Sequence, residues 1–261
     1  MGAMAALHAT AQPGPQVAQI AVHDGLVWAE VDARGHTLHF VLDTGAASSC
    51  VNLATARRLG LQLGKPLDVQ GVDGRTTGYE CTGFNATVGG MRLPQTVIAV
   101  DLSGPSRACS QRIDGLIGAD FFQGKVVRID YRRKLLSREA TVRGKPAMRL
   151  RFADGAICVQ VAVNGGGKRW TRLDTGCTDA LDWCDGSCCG AKGTGKTVAL
   201  AAWMGSVRPA DVTVGTAELK CVPVTLRRRA IFSGEAGLLG NGVLSRYTVT
   251  IDGIGKRLVL E

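Results

Sequence analysis

Phe40-Val41-Leu42-Asp43-Thr44-Gly45-Ala46 is an apolar strand running into a tight polar turn, and Arg172-Leu173-Asp174-Thr175-Gly176-Cys177 repeats the design 131 residues later (174 − 43 = 131). One D-T-G triplet would be weak evidence, because short motifs recur by chance. The flanks decide the matter. Upstream, Asp24-Gly25 and the alternating residues Leu26 to Val31 match Asp154-Gly155 and Ala156 to Val161, an offset of 154 − 24 = 130. Downstream, Val88-Gly89 before Met91-Arg92-Leu93 matches Val214-Gly215 before Ala217-Glu218-Leu219 (214 − 88 = 126). Finally Gly115-Leu116-Ile117-Gly118 matches Gly237-Leu238-Leu239-Gly240 (237 − 115 = 122), and Ile129-Asp130 and Ile251-Asp252 follow at equal distance. Four anchors in the same order identify an internal duplication.

The 261 residues therefore divide into a tail (1–15), one copy (16–140), a linker (141–147) marked by Gly144 and Pro146, and a second copy (148–261). Thirty-five glycines against thirteen aromatics (6 Phe, 4 Trp, 3 Tyr) favour turns and hairpins over helix. Period-2 alternation predicts strands over Thr96 to Asp101 and Val126 to Tyr131. One helix is expected, in the first copy. Asn52 caps it, Leu53, Ala56, Leu59 and Leu61 form its apolar side, Arg57 and Arg58 face outward, and Gly60 ends it. The second copy has the cysteine-rich stretch Trp183 to Gly190 in its place.

F-V-L-D-T-G-A at 40–46, N-L-A-T-A-R-R-L-G at 52–60 and D-G-L-I-G-A-D-F-F at 114–122 resemble bacterial members of the retropepsin-like aspartic protease family. With R-L-D-T-G-C and G-L-L-G-N, the second copy looks like a diverged unit of the same kind, so the chain is similar to the bilobal pepsin-like arrangement. The resemblance implies an all-β, bilobal acid-protease fold: two β-barrel-like lobes related by a pseudo-two-fold axis, with Asp43 and Asp174 as a catalytic pair between them. It also implies that Thr44 and Thr175 bond across the lobe interface, and that 116–118 and 238–240 pack behind the turns. Elementary electrostatics agrees with the chemistry. Two carboxylates on one axis do not both ionise cheaply, so one stays protonated while the other is a base. Such a dyad titrates as a unit, and the sequence does not assign the two roles. Gly45 and Gly176 let the turns close so that N–H groups face the carboxylates. The residues after the triplets are Ala46 and Cys177, where pepsin-like enzymes usually carry a hydroxyl that favours ionisation. Its loss predicts raised dyad pKa values and a mildly acidic optimum, and maximal turnover near pH 2 to 3 would refute that.

The resemblance further implies a hairpin flap, and Val72 to Tyr79, with the turn signal Asp73-Gly74, is the candidate in the first copy. Tyr79 is expected to face the site, and Trp203 is the corresponding candidate in the second copy. The expected partner is a polypeptide substrate, with no cofactor or metal, and the expected state is a monomer forming an internal pseudo-dimer. A rival reading keeps the fold but makes it an inactive peptide-binding module. Another comes from Gly190 to Thr197, which satisfies G-x-x-x-x-G-K-[ST], the phosphate-binding loop, although no buried strand precedes it. Net charge is +9, yet Arg132-Arg133-Lys134 and Arg227-Arg228-Arg229 lie far apart, with no basic stripe interleaved with aromatics, which argues against nucleic acid. No apolar run nears the roughly 18 residues of a membrane span. Nine cysteines leave at least one thiol unpaired within the chain, and Cys50, lacking a histidine base nearby, reads as a buried thiol. Ala9-Thr10-Ala11 resembles the end of a signal peptide, which favours a periplasmic or secreted protein and leaves a cytoplasmic one open.

Overall fold

The computed structural model describes residues 15–71, 74–109, 111–142, 147–184, 196–197 and 206–261. In the first half the strands are β1 (Val17–His23), β2 (Leu26–Ala33), β3 (His36–Leu42), β4 (Cys50–Asn52), β5 (Leu63–Gln70), β6 (Arg75–Cys81), β7 (Ala86–Val88), β8 (Met91–Arg92), β9 (Val97–Val100), β10 (Gly115–Ile117), β11 (Val126–Asp130) and β12 (Leu135–Glu139). The second half supplies β13 (Ala147–Ala153), β14 (Ala156–Val163), β15 (Arg169–Leu173), β16 (Leu181–Cys184), β17 (Lys196–Thr197), β18 (Ser206–Val214), β19 (Ala217–Arg227), β20 (Gly237–Leu239), β21 (Thr248–Asp252) and β22 (Arg257–Leu260). Helices α1 (Leu53–Arg58), α2 (Ser103–Ala108) and α3 (Asn241–Leu244) are short, so the fold is all-β. The expected helix is α1: Asn52 Oδ1 accepts from the Ala54 N–H, and Gly60 takes φ +63° just past its end.

The opening hairpins form where the sequence places Asp-Gly. Asp24 and Gly25 both adopt positive φ, as do Asp154 and Gly155, which is the backbone a two-residue hairpin turn requires. From there the halves share one topology. β3 pairs in parallel with β10, which pairs antiparallel with β4; β15 pairs in parallel with β20, which pairs antiparallel with β16. The chain leaving β3 must therefore cross over β10 to become β4, and the D-T-G turn lies in that crossing. In the second half the pairings β14–β15–β20–β16–β19–β18–β14 close a barrel.

A further sheet joins the halves. Its order is β1–β12–β11–β21–β22–β13, antiparallel throughout, with β11 against β21 at its centre. There Val126 faces Asp252, Arg128 faces Thr250 and Asp130 faces Thr248. Since the repeat offset here is 122, residue 126 corresponds to 248 and 130 to 252, so a two-fold rotation through the Arg128–Thr250 pair exchanges these partners. The duplication read from sequence is thus a rotation in space. One main apolar core, including Phe40, Phe121, Phe122, Val159 and Leu239, draws residues from both halves.

Candidate active site

Asp43 and Asp174 each follow the last residue of a strand that ends against β10 or β20. The backbone N–H of Asp43 donates to the Ile117 carbonyl (2.9 Å), and that of Asp174 to the Leu239 carbonyl (2.9 Å). Behind the turns the segments 116–118 and 238–240 come so close that only glycine fits: a Cβ on Gly118 would lie 2.5 Å from the Ser48 carbonyl carbon, and one on Gly240 2.3 Å from the Asp179 oxygen.

The two turns are interlocked. Thr44 Oγ1 donates to the Leu173 carbonyl (2.7 Å) and accepts from the Thr175 N–H (3.1 Å). Thr175 Oγ1 donates to the Leu42 carbonyl (2.6 Å) and accepts from the Thr44 N–H (3.0 Å). Every one of these groups is buried, so each bond satisfies a donor or acceptor that water does not reach. The exchange fixes the carboxyls relative to one another. Gly45 lies directly against Asp174, where a Cβ would stand 2.3 Å from its Cγ.

Both aspartates are fully buried. Asp43 Oδ1 accepts from the Ala46 N–H (3.0 Å), and Asp174 Oδ1 from the Gly176 N–H (2.9 Å). Among the described residues no N–H or hydroxyl donor reaches Oδ2 of either residue, and the two carboxyls are themselves placed to share a hydrogen bond. Burial is the main reason that both carboxyls are harder to ionise than usual, and the remaining contributions differ. For Asp43 the charge of Asp174 adds to the rise, so it is held well above the ordinary range. For Asp174 the Arg172 guanidinium and the Gly176 N–H oppose burial, leaving it pushed up to about 6. Ala46 and Cys177 are buried beside the pair and bring no hydroxyl to it. The Cys177 thiol is itself held neutral, by burial first and then by Asp174. Cys50 is fully buried, and its thiol is likewise pushed up by burial.

Several bracing residues escaped the motif reading. Asp120 takes the Ser49 N–H on both oxygens (2.9 and 2.8 Å) and its hydroxyl on Oδ1 (2.6 Å), while Ser49 Oγ accepts from the Gly118 N–H (3.0 Å). In the second half Asn241 binds the carbonyls of Thr175 (2.7 Å) and Gly25 (2.8 Å) through Nδ2, and accepts from the Tyr131 hydroxyl (2.9 Å). The largest surprise is Arg172, one of the largest fully buried side chains. Its Nε and Nη2 grip Glu235 (2.7 and 2.6 Å), Nη1 donates to the Gly45 carbonyl (2.8 Å), and its plane lies 3.5 Å from the centre of the Phe232 ring. One signal pointed to it: the repeat puts Arg172 where the first copy has Val41 (172 − 131 = 41) and Glu235 where it has Ile113 (235 − 122 = 113).

The first flap candidate falls on the β5–β6 hairpin. Gly74 stands exposed at the start of β6, and Tyr79 is half-buried against the core of the first half. Asp73 and Trp203 lie outside the described residues, as does Gly190 to Gly195 of the phosphate-loop pattern. Lys196 and Thr197, which such a loop would place at the start of a helix, form a short strand against β5. Among the described residues no group of three or more histidine, cysteine or acidic side chains is placed to hold a metal ion, and no helix is long and apolar enough to cross a membrane. Seven cysteines there are free thiols.

With this geometry in view, the comparison with known families is specific to the first half: residues 29–121 match the family described as aspartyl protease. That span contains Asp43, the β5–β6 hairpin and the Gly115 to Gly118 segment, so the resemblance read from sequence holds over the segment that carries its motifs. No curated protein matches the chain.

Proposed function

We propose that the chain is an aspartic endopeptidase in which Asp43 and Asp174 activate a water molecule between two lobes, 16–140 and 148–261. In this reaction one carboxylate takes a proton from water as its oxygen attacks the peptide carbonyl carbon, and the other carboxyl gives its proton to the carbonyl oxygen. Collapse of the tetrahedral species breaks the C–N bond, and a proton passes to the leaving amine. Thr44, Gly45, Ala46, Thr175, Gly176 and Cys177 support the pair, and the β5–β6 hairpin is the flap. The observation that carries the reading is the pair of buried aspartates, locked together by the Thr44–Thr175 exchange, each with one carboxyl oxygen that no N–H or hydroxyl donor among the described residues reaches. The family match over 29–121 supports the chemistry in general terms.

Cleavage of an unbiased peptide library from pH 3 to 8 tests the proposal. The wild type is expected to cut, and Asp43→Asn and Asp174→Asn are each expected to abolish cutting while remaining folded. A folded wild type that binds peptides without cutting would favour the inactive-module reading, and loss in only one variant would rule out a shared pair.

A further inference from the structure

We propose that Arg172, clamped by Glu235, is a positioning residue that breaks the symmetry of the aspartate pair, so that Asp174 carries the negative charge and acts as base while Asp43 holds the proton and acts as acid. This rests on the reading of the two aspartates as the catalytic pair. It goes beyond it by assigning roles that the duplicated motif, being the same in both copies, leaves equal.

The argument begins with the repeat. Val41 and Ile113 meet in an apolar cluster in the first half, whereas the corresponding places in the second half hold a buried arginine and a buried glutamate. A buried ion pair is seldom retained for stability, because desolvation offsets most of the attraction. This one reaches further than a local contact. The guanidinium uses two nitrogens on Glu235 and a third on the Gly45 carbonyl in the opposite half. The peptide unit whose carbonyl it binds is the one whose N–H, on Ala46, donates to Asp43 Oδ1. Arg172 therefore fixes the position of the Asp43 turn from across the interface.

Its charge acts on the other aspartate. Arg172 sits on β15 two residues before Asp174, which follows the strand's last residue, and its positive charge favours the Asp174 carboxylate. Other groups act on the pair as well. Asp182 on β16, itself bound to Arg227 of β19, adds a charge that disfavours ionisation of Asp174, and the neutral Cys177 thiol adds none. Cys158 on β14 and Arg151 on β13 adjoin the ion pair, and Cys158 stays a neutral thiol, its pKa raised mainly by burial. Arg172 is the cation in this set that favours the Asp174 carboxylate, and among the described residues the main influences on Asp43 include no cation.

Two measurements test the assignment. The first is a ¹³Cγ NMR titration of the aspartates in the folded wild type, which needs neither a variant nor a substrate. Asp174 is expected to lose its proton at lower pH than Asp43; ionisation of Asp43 first, or of both together, would overturn the proposal. The second replaces the ion pair by the residues of the first half, Arg172→Val with Glu235→Ile, which avoids leaving a lone buried charge. In that variant the acidic limb of the kcat/KM profile is expected to move to higher pH, by less than the roughly one to three units that a lone adjacent cation gives a carboxylate, because the Glu235 charge leaves with that of Arg172. Arg172→Lys, which keeps the charge, is expected to shift it less. An unchanged limb in the folded double variant would show that Arg172 serves packing alone. Should the wild type cut no peptide, the catalytic reading fails, while the NMR titration still decides the order of ionisation.

Discussion

Replacing Asp174 by asparagine should make the protein more stable at neutral pH, and the size of the gain follows from the burial of the site. The carboxyl is pushed from 3.8 up to about 6, chiefly by loss of solvation. A rise of roughly two units at about 1.4 kcal/mol each gives about 3 kcal/mol as the penalty for holding this group ionised in the folded state. The folded protein binds the proton more tightly than the unfolded chain, so the group's favourable contribution is complete below about pH 4 and disappears as pH rises through about 6. Asparagine carries no charge, keeps an oxygen for the Gly176 N–H, and turns an amide donor toward Asp43. For a chain of this size 1 kcal/mol corresponds to roughly 2–4 °C in Tm, so the variant should melt about 6–12 °C higher at pH 7.5 and level with wild type at pH 4. Differential scanning calorimetry across that range, with cleavage assayed in parallel, reads both effects. A Tm difference that is independent of pH, or a wild type that is the more stable at pH 7.5, would refute the claim that buried charge is strained at this site.

Other expectations follow from the same geometry. Gly45→Ala should reduce cleavage by at least ~100-fold, through carboxyls pushed out of alignment, and cost about 1–3 kcal/mol, because its Cβ would stand 2.3 Å from Asp174 Cγ; more than half the activity remaining would contradict the described contact. Thr44→Val strands the Leu173 carbonyl and the Thr175 N–H, at ~1–3 kcal/mol for each buried group, and urea denaturation should show the loss. Tyr131→Phe removes one bond to Asn241, with an expected penalty of about 1 kcal/mol and unchanged cleavage; a fall in kcat would mean that Asn241 positions the site. The pH profile of cleavage should rise through an acidic limb near the value of about 6 set by Asp174, and an optimum at pH 2 to 3 would mean that the site is better solvated than its burial implies.

Much of this arrangement was legible in the chain because it depends on local signals that occur twice. The turns at Asp24-Gly25 and Asp154-Gly155 announce their own backbone, the apolar alternation gives the strands, and the spacing of the anchors gives the pairing of copies. The two aspartates could be named for the same reason. What stayed hidden depends on partners distant in sequence and present in one copy alone. Arg172 looks like an impurity in an apolar strand until Glu235, 63 residues later, is brought to it. Asn241 reads only as the residue after G-L-L-G until folding sets it beside Gly25, 216 residues earlier. Repetition reveals what the copies share, and it is silent about the places where they differ.

The six-stranded sheet that joins the halves has a consequence for how the site responds to dilution. β11 and β21 belong to one polypeptide, so bringing Asp43 to Asp174 is an intramolecular event governed by an effective concentration and independent of the protein's own. A site formed from two separate copies would dissociate as concentration fell, and its apparent stability would follow. On the proposed reading the two aspartates meet within one folded chain, so cleavage per molecule is expected to remain constant down to the lowest concentration at which it can be measured.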